Sequence, residues 1–168
     1  MRTWVEIRNA VRNNLYGKGV PGEGSRKADI VIVGEAPGAN EEIMGRPFIG
    51  REGKVLRRIL KEAGISAEKL YITNAVKVRP PGNRRPTQDE IDYWRPLLKA
   101  EIALIKPKKV IALGVVARQS LYSLPKEVEI IRLPHPGAAR YRSDIIKKIK
   151  KGIVAAAEER VWREGHLE

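Results

Sequence analysis

"ADIVIVGEAPG", residues 28–38, is an unbroken apolar run that ends in a Gly-Glu-Ala-Pro-Gly turn. It lacks the alternation of a half-exposed strand, so it reads as a strand covered on both faces. Three more such runs follow: "LYITNAV" (70–76), "KKVIALG" (108–114) and "VEIIRLP" (128–134). Helical patterns separate them. "GREGKVLRRILKEAG" (50–64) gathers Val55, Ile59 and Leu60 on one face and stops at Gly64. "PTQDEIDYWRPLLKAEIAL" opens with Thr87 and Glu90 in capping-box spacing. "VVARQSLYSL" gives a short helix, "SDIIKKIKKGIVAAAEERVW" a long one capped by Ser143, and residues 2–14 a first one. Strands alternating with helices, joined by right-handed crossovers, make an α/β fold: a three-layer α/β/α sandwich around a central four-stranded parallel sheet.

The 168 residues suit one domain, 1–168, large enough to bury a core without disulfides or metals. With no cysteine, thiolate catalysis and cysteine-ligated zinc or iron–sulfur centres are excluded. His135 and His166 are the only imidazoles, too few for a histidine-rich metal site. No apolar run approaches the roughly 20 residues of a membrane span, and "MRTWVEIRNAVRNN" has no signal-peptide core. The expectation is a soluble, cytoplasmic, nucleoid-associated monomer. A net charge of +13 favours a polyanion partner, nucleic acid before an anionic membrane. A surface rich in Lys, Arg and Glu also fits a thermophile.

In such folds ligands bind beyond the carboxyl ends of the strands. Glu35-Ala36-Pro37-Gly38, Asn74, Gly114-Val115 and Pro134-His135-Pro136-Gly137 all fall there. Gly34 and Gly38 allow close backbone approach, although "GEAPG" has the spacing of neither a P-loop nor a dinucleotide fingerprint. Phe48, the only phenylalanine, sits in a Gly/Arg/Pro-rich loop, where its ring is either core or a platform for a nucleobase. Asn74 interrupts an apolar strand. Its carboxamide either bonds a neighbouring loop or reads a base edge with one donor and one acceptor. His135, between two prolines, is held on a stiff tip, where it can donate to a developing oxyanion. The basic loop "VRPPGNRRPT", with Arg79, Arg84 and Arg85, and the segment "ARYRSDIIKKIKKG" suit phosphate contacts or a solvated face.

Taken together, "VPGEG" (20–24), "VGEAPG" (33–38), "GRPFIGREG" (45–53), "YITNAVKVRPPGNRRPT" (71–87), "RPLLKAEIALIKPKKVIALG" (95–114) and "LPHPG" (133–137) resemble the family-four uracil-DNA glycosylases, in order and over most of the chain. The resemblance implies excision of uracil from DNA by cleavage of its N-glycosidic bond. It implies that Gly34, Glu35 and Ala36 line the pocket with Glu41 nearby, that Phe48 stacks on the flipped base, that Asn74 reads its Watson–Crick edge and that His135 bonds O2. Related enzymes carry an aspartate at the place of Ala36, which leaves Glu35 or Glu41 to orient water. The family binds a four-iron–four-sulfur cluster through four cysteines; the matching positions here are Ala10, Asn13, Val78 and Trp94, none a thiolate. No cofactor is therefore expected, and a packed cluster including Val78 and Trp94 should tie the N-terminal segment to the "RPPGN" loop. The family's apolar wedge after the histidine reads "GAARYR" here, so that Arg140 or Tyr141 fills the gap, with Arg142 beside them. Excision of hypoxanthine, recognition of DNA without turnover and an anion-binding domain with no nucleic-acid role are the competing expectations.

Overall fold

A computed structural model describes residues 1–140 and 142–165. The chain runs α1 (Trp4–Arg12), β1 (Glu23–Gly24), β2 (Ile30–Gly34), α2 (Ala39–Met44), α3 (Arg51–Glu62), β3 (Leu70–Asn74), α4 (Gln88–Ile105), β4 (Lys109–Leu113), α5 (Val115–Ser120), β5 (Glu129–Leu133) and α6 (Ser143–Gly165). The sheet order is β1-β3-β2-β4-β5. β2, β3, β4 and β5 are parallel, in the places where the four apolar runs lie.

The sheet has five strands rather than four. Glu23 and Gly24 pair antiparallel with Ile72 and Tyr71. Two residues carry no periodicity, so this edge strand leaves no hydrophobic signature. Its backbone fit is nevertheless specific: Gly24 has φ +127°, and a Cβ there would lie 2.3 Å from the Leu70 carbonyl oxygen.

The pleat sends alternate residues to opposite layers. Val31, Val33, Val110 and Ala112 join Ile7, Val11, Ile91, Trp94 and Leu98 on the face covered by α1, α4 and α5. Ile30, Ile32, Ile111 and Leu113 join Leu56, Ile59, Leu60, Ile149 and Ile153 on the face covered by α3 and α6. β2 and β4 are buried throughout, as their continuous apolar runs require. β5 is an edge strand, and it exposes Glu129 and Arg132, charges that discourage pairing with another chain.

Two helix starts are tightly specified. Thr3 and Glu6 form a reciprocal capping box on α1, as Thr87 and Glu90 do on α4. No helix among the described residues is long and apolar enough to cross a membrane.

The chain leaves β2 toward β3 on one side and returns through β4 on the other. That reversal falls at the carboxyl ends of β2 and β4, the place where doubly wound sheets bind ligands.

Candidate active site

Gly34 closes β2 and lies in register with Asn74, the last residue of β3. Packing at this strand end is tight. A Cβ at Gly34 would stand 2.3 Å from Phe48 Cζ and 2.5 Å from Asn74 Oδ1. Only hydrogen at that position lets the ring and the carboxamide meet the strand end together.

Asn74 is 4% exposed, yet among the described residues its carboxamide makes no hydrogen bond. The carboxamide is not sealed from solvent: the fully buried side-chain atoms without a partner among the described residues are Trp94 Nε1 and Arg95 Nε. The bond to a neighbouring loop that would explain it structurally is absent among the described residues. Its backbone, by contrast, is tightly held. The Lys77 ammonium donates to the Asn74 carbonyl, to Thr73 Oγ1 and to Glu101 Oε2, the last at 2.7 Å. Glu101 also accepts from Tyr71 Oη at 2.9 Å. Lys77 and Glu101 are both 0% exposed, and burial draws the Lys77 proton affinity below the ordinary lysine range, against the pull of Glu101.

Phe48 is 5% exposed and packs in the core with Leu56, Ile59 and Ile72. Phe48 is thus a core residue: the body of its ring is buried and its tip reaches Gly34. Its backbone is left-handed, φ +52°, a conformation that costs a non-glycine residue about 1–2 kcal/mol. Gly53, in the first turn of α3, lies so close that a Cβ would be 2.1 Å from the Phe48 carbonyl carbon.

His135 follows β5 and caps a short 3₁₀ turn, Pro136–Ala139. Its Nδ1 accepts the Gly137 N–H at 3.0 Å. In the neutral ring the proton therefore resides on Nε2. Burial pushes the imidazole below the ordinary histidine range, opposed by the Glu52 carboxylate. Gly114, at φ +88°, ends β4 against His135, whose Cβ would be 3.0 Å from a Cβ placed there. His135 is accordingly a neutral donor anchored at the same edge as Asn74.

The two candidate carboxylates differ. Glu41 Oε1 accepts the Gly50 N–H at 3.1 Å, bracing the loop that carries Phe48. Glu35 is half-buried, and its carboxyl makes no hydrogen bond among the described residues. Burial raises its proton affinity above the ordinary glutamate range, offset in part by Arg85. Ala36, half-buried, packs on the core beside them.

The basic residues are unequal as well. Arg79 donates to Asn83 Oδ1 at 2.7 Å and lies 3.8 Å from Glu42. Arg84 grips Glu90 with both terminal nitrogens, at 2.9 and 2.7 Å. Arg142 does the same to Asp144 through Nε and Nη2, at 3.3 and 2.8 Å. Arg85 and Arg140 are exposed. Tyr141 lies outside the described residues.

At the four cluster positions, Val78 and Trp94 are buried in one apolar cluster with Ile7 and Val11, and Ala10 packs on it. Asn13 is the exposed C-cap of α1. Gly19 bridges Val78, and Tyr16, Tyr93 and Trp94 stack edge to face with centroids 5.0 and 5.1 Å apart. This is a hydrocarbon tie with no soft ligand, and it does not fit an iron–sulfur cluster. No group of three or more metal-binding side chains occurs among the described residues.

Arg57, Glu52 and the Lys77–Glu101 pair escape motif-based reading. A signal for the pair does exist: Lys77 inside the apolar run "YITNAVKV" and Glu101 inside "AEIALI" are opposite charges that demand a buried partner.

A family model described as the uracil DNA glycosylase superfamily matches residues 21–158. A type-4 uracil-DNA glycosylase of Sulfurisphaera tokodaii is 40% identical over 154 residues, covering 79% of this chain and 70% of that protein. One from Pyrobaculum aerophilum is 45% identical over 105 residues, covering 62% of this chain. The chain spans only 54% of the length of the Pyrobaculum protein. A solved UNG structure from Nitratifractor salsuginis shares 13% identity at a TM-score of 0.42, over 77% of this chain and 73% of that one.

Proposed function

The chain belongs to the uracil-DNA glycosylase superfamily, and on that footing we propose that it is a monofunctional glycosylase of the type-4 kind that excises uracil from DNA and leaves an abasic site. The observation that carries the reading is the Asn74 carboxamide: almost buried, unpaired among the described residues, and set against Gly34 and the tip of Phe48. An amide left with both its donor and its acceptor open at a strand end suits a ligand with the matching acceptor and donor.

Uracil supplies both. Its O4 accepts from the Asn74 amide and its N3–H donates to Oδ1, which faces Gly34. Cytosine presents a donor at C4 and an acceptor at N3, so in this orientation both contacts are mispaired. Mispaired buried groups give strong discrimination. The target base first leaves the duplex stack, at a cost of a few kcal/mol, and Phe48 walls the pocket that receives it.

As the glycosidic bond lengthens, negative charge gathers on uracil O2 and positive charge on the sugar. His135 Nε2–H, fixed in that tautomer by Gly137, donates to O2. Being neutral, it stabilises the leaving anion without protonating it, an oxyanion-type effect. Glu35, the unpaired carboxylate, orients the water that captures the sugar cation, and Glu41 holds the loop. Arg85 and Arg140, with Arg79, Arg84 and Arg142, form the DNA-facing rim; Tyr141, outside the described residues, is the remaining candidate from the sequence.

The decisive experiment incubates the protein with labelled single- and double-stranded oligonucleotides containing uracil, hypoxanthine or thymine, then cleaves abasic sites with alkali. Strand scission at uracil is the expected result. Scission at hypoxanthine alone would reassign the base, and DNA binding with no scission would make the chain a recognition module.

A further inference from the structure

We propose that Arg57 is a positioning residue that sets the direction of the Phe48 ring, an inference that rests on the glycosylase reading above. Arg57 lies on α3, nine residues beyond Phe48. Its Nε donates to the Phe48 carbonyl at 2.7 Å and its Nη2 to the Pro47 carbonyl at 2.8 Å. Those carbonyls belong to the two peptide planes that flank the Phe48 Cα. Holding both planes fixes φ and ψ at Phe48, and with them the direction of its Cα–Cβ bond. The residue so held is the one whose backbone is left-handed, at φ +52°. Left alone, a phenylalanine relaxes toward negative φ, which would swing the ring tip away from Gly34.

The guanidinium is itself held. Nη2 also meets Glu23 Oε2 at 3.2 Å, and Glu23 Oε1 takes both Nε and Nη2 of Arg46, at 3.1 and 2.6 Å. Glu23 belongs to the short antiparallel strand β1. The edge strand therefore anchors an arginine at each side of the Phe48 turn. A planar fork with donors in fixed directions reaches two carbonyls and a carboxylate at once; an ammonium on a flexible stem does not reproduce that geometry.

A merely structural brace would affect stability and leave catalysis to follow the folded fraction. The two roles separate in a double-mutant cycle. Single-turnover excision of uracil from a labelled oligonucleotide is measured for the wild type, Arg57→Ala, Arg57→Lys, Phe48→Ala and Arg57→Ala/Phe48→Ala, with thermal melts confirming that each is folded. Phe48→Leu replaces Phe48→Ala if the latter does not fold. Arg57→Ala should lower the excision rate about tenfold, because small misplacements of a positioned group cost up to about a hundredfold. Arg57→Lys should lose nearly as much although it keeps the charge. In the Phe48→Ala background the Arg57→Ala effect should shrink to less than about twofold, as expected when one residue acts through another. Amide hydrogen exchange across residues 48–50 should accelerate about tenfold in Arg57→Ala, the signature of a local opening.

Equal losses in both backgrounds, full activity in Arg57→Lys, or unchanged exchange would overturn the role. A folded wild type that releases no uracil would instead sink the glycosylase reading, and the exchange measurement alone would then judge Arg57.

Discussion

Asn74 ends β3 and His135 follows β5, and the proposed roles of the two predict distinct failures. Replacing His135 with alanine removes one donor to a developing oxyanion, a change that costs about a hundredfold or more in rate. Asn74→Ala should cost a similar factor in kcat/KM, and it should also narrow the preference for uracil over cytosine. Parallel assays on uracil and cytosine oligonucleotides separate the two: His135→Ala slows excision while keeping selectivity, and Asn74→Ala erodes selectivity. The titrating groups predict a pH profile. Burial lowers the His135 proton affinity, so the ring stays neutral from alkaline pH down through the ordinary histidine range near about 6.5. Burial raises that of Glu35, so its carboxylate is lost above the ordinary glutamate range as pH falls. The rate should be flat above neutrality and decline on the acid side with a midpoint above the ordinary glutamate value. Glu35→Gln should abolish that limb and lower the plateau. An unchanged limb in Glu35→Gln would assign it elsewhere.

At the scale of elements, β3 and α4 are joined by a buried charge pair. The Lys77–Glu101 bridge, 2.7 Å long and excluded from solvent, connects the α4 interior to the carbonyl of Asn74. Removing one partner strands the other as an uncompensated charge, so Lys77→Met should cost about 3–5 kcal/mol in chemical denaturation. Lys77→Met combined with Glu101→Leu should recover much of that loss, since two apolar side chains replace two desolvated ions. The double variant then tests whether the pair serves more than stability. If it folds well but excises poorly, the ammonium also places Asn74. The arginine pairs at the surface differ in kind. Arg84 with the buried Glu90 and Arg142 with Asp144 lie at the starts of α4 and α6, the first pair half-sheltered and the second exposed. Exposed pairs contribute up to about 1 kcal/mol each, so DNA phosphates can compete for these guanidiniums.

Across the whole molecule the charge of +13 predicts steep salt dependence. For about four phosphate contacts, binding to an oligonucleotide should fall with a log–log slope of about −3.6 against salt concentration. Fluorescence anisotropy across a salt series checks this; a flat response would place the positive charge off the binding face. The main architecture was legible in the sequence because buried parallel strands leave continuous apolar runs. The placing of Gly34, Asn74 and His135 at strand ends was legible for a related reason: each stands where an apolar run breaks off. What escaped was long-range or too short for a pattern. β1 is two residues long. The Arg57 contacts depend on a backbone turn that no spacing encodes, and Glu52 reaches His135 across more than 80 positions of chain.

The hydrocarbon tie around Trp94 has an optical consequence. Its indole is 1% exposed, flanked by Tyr93 and sharing a cluster with Val78, just beyond the strand end that carries Asn74. An indole in so dry a setting emits at short wavelength, and it shifts to the red when water reaches it. The chain has three tryptophans, so a variant retaining Trp94 alone would report, in its emission spectrum, whether the segment that steadies the pocket loosens when DNA arrives.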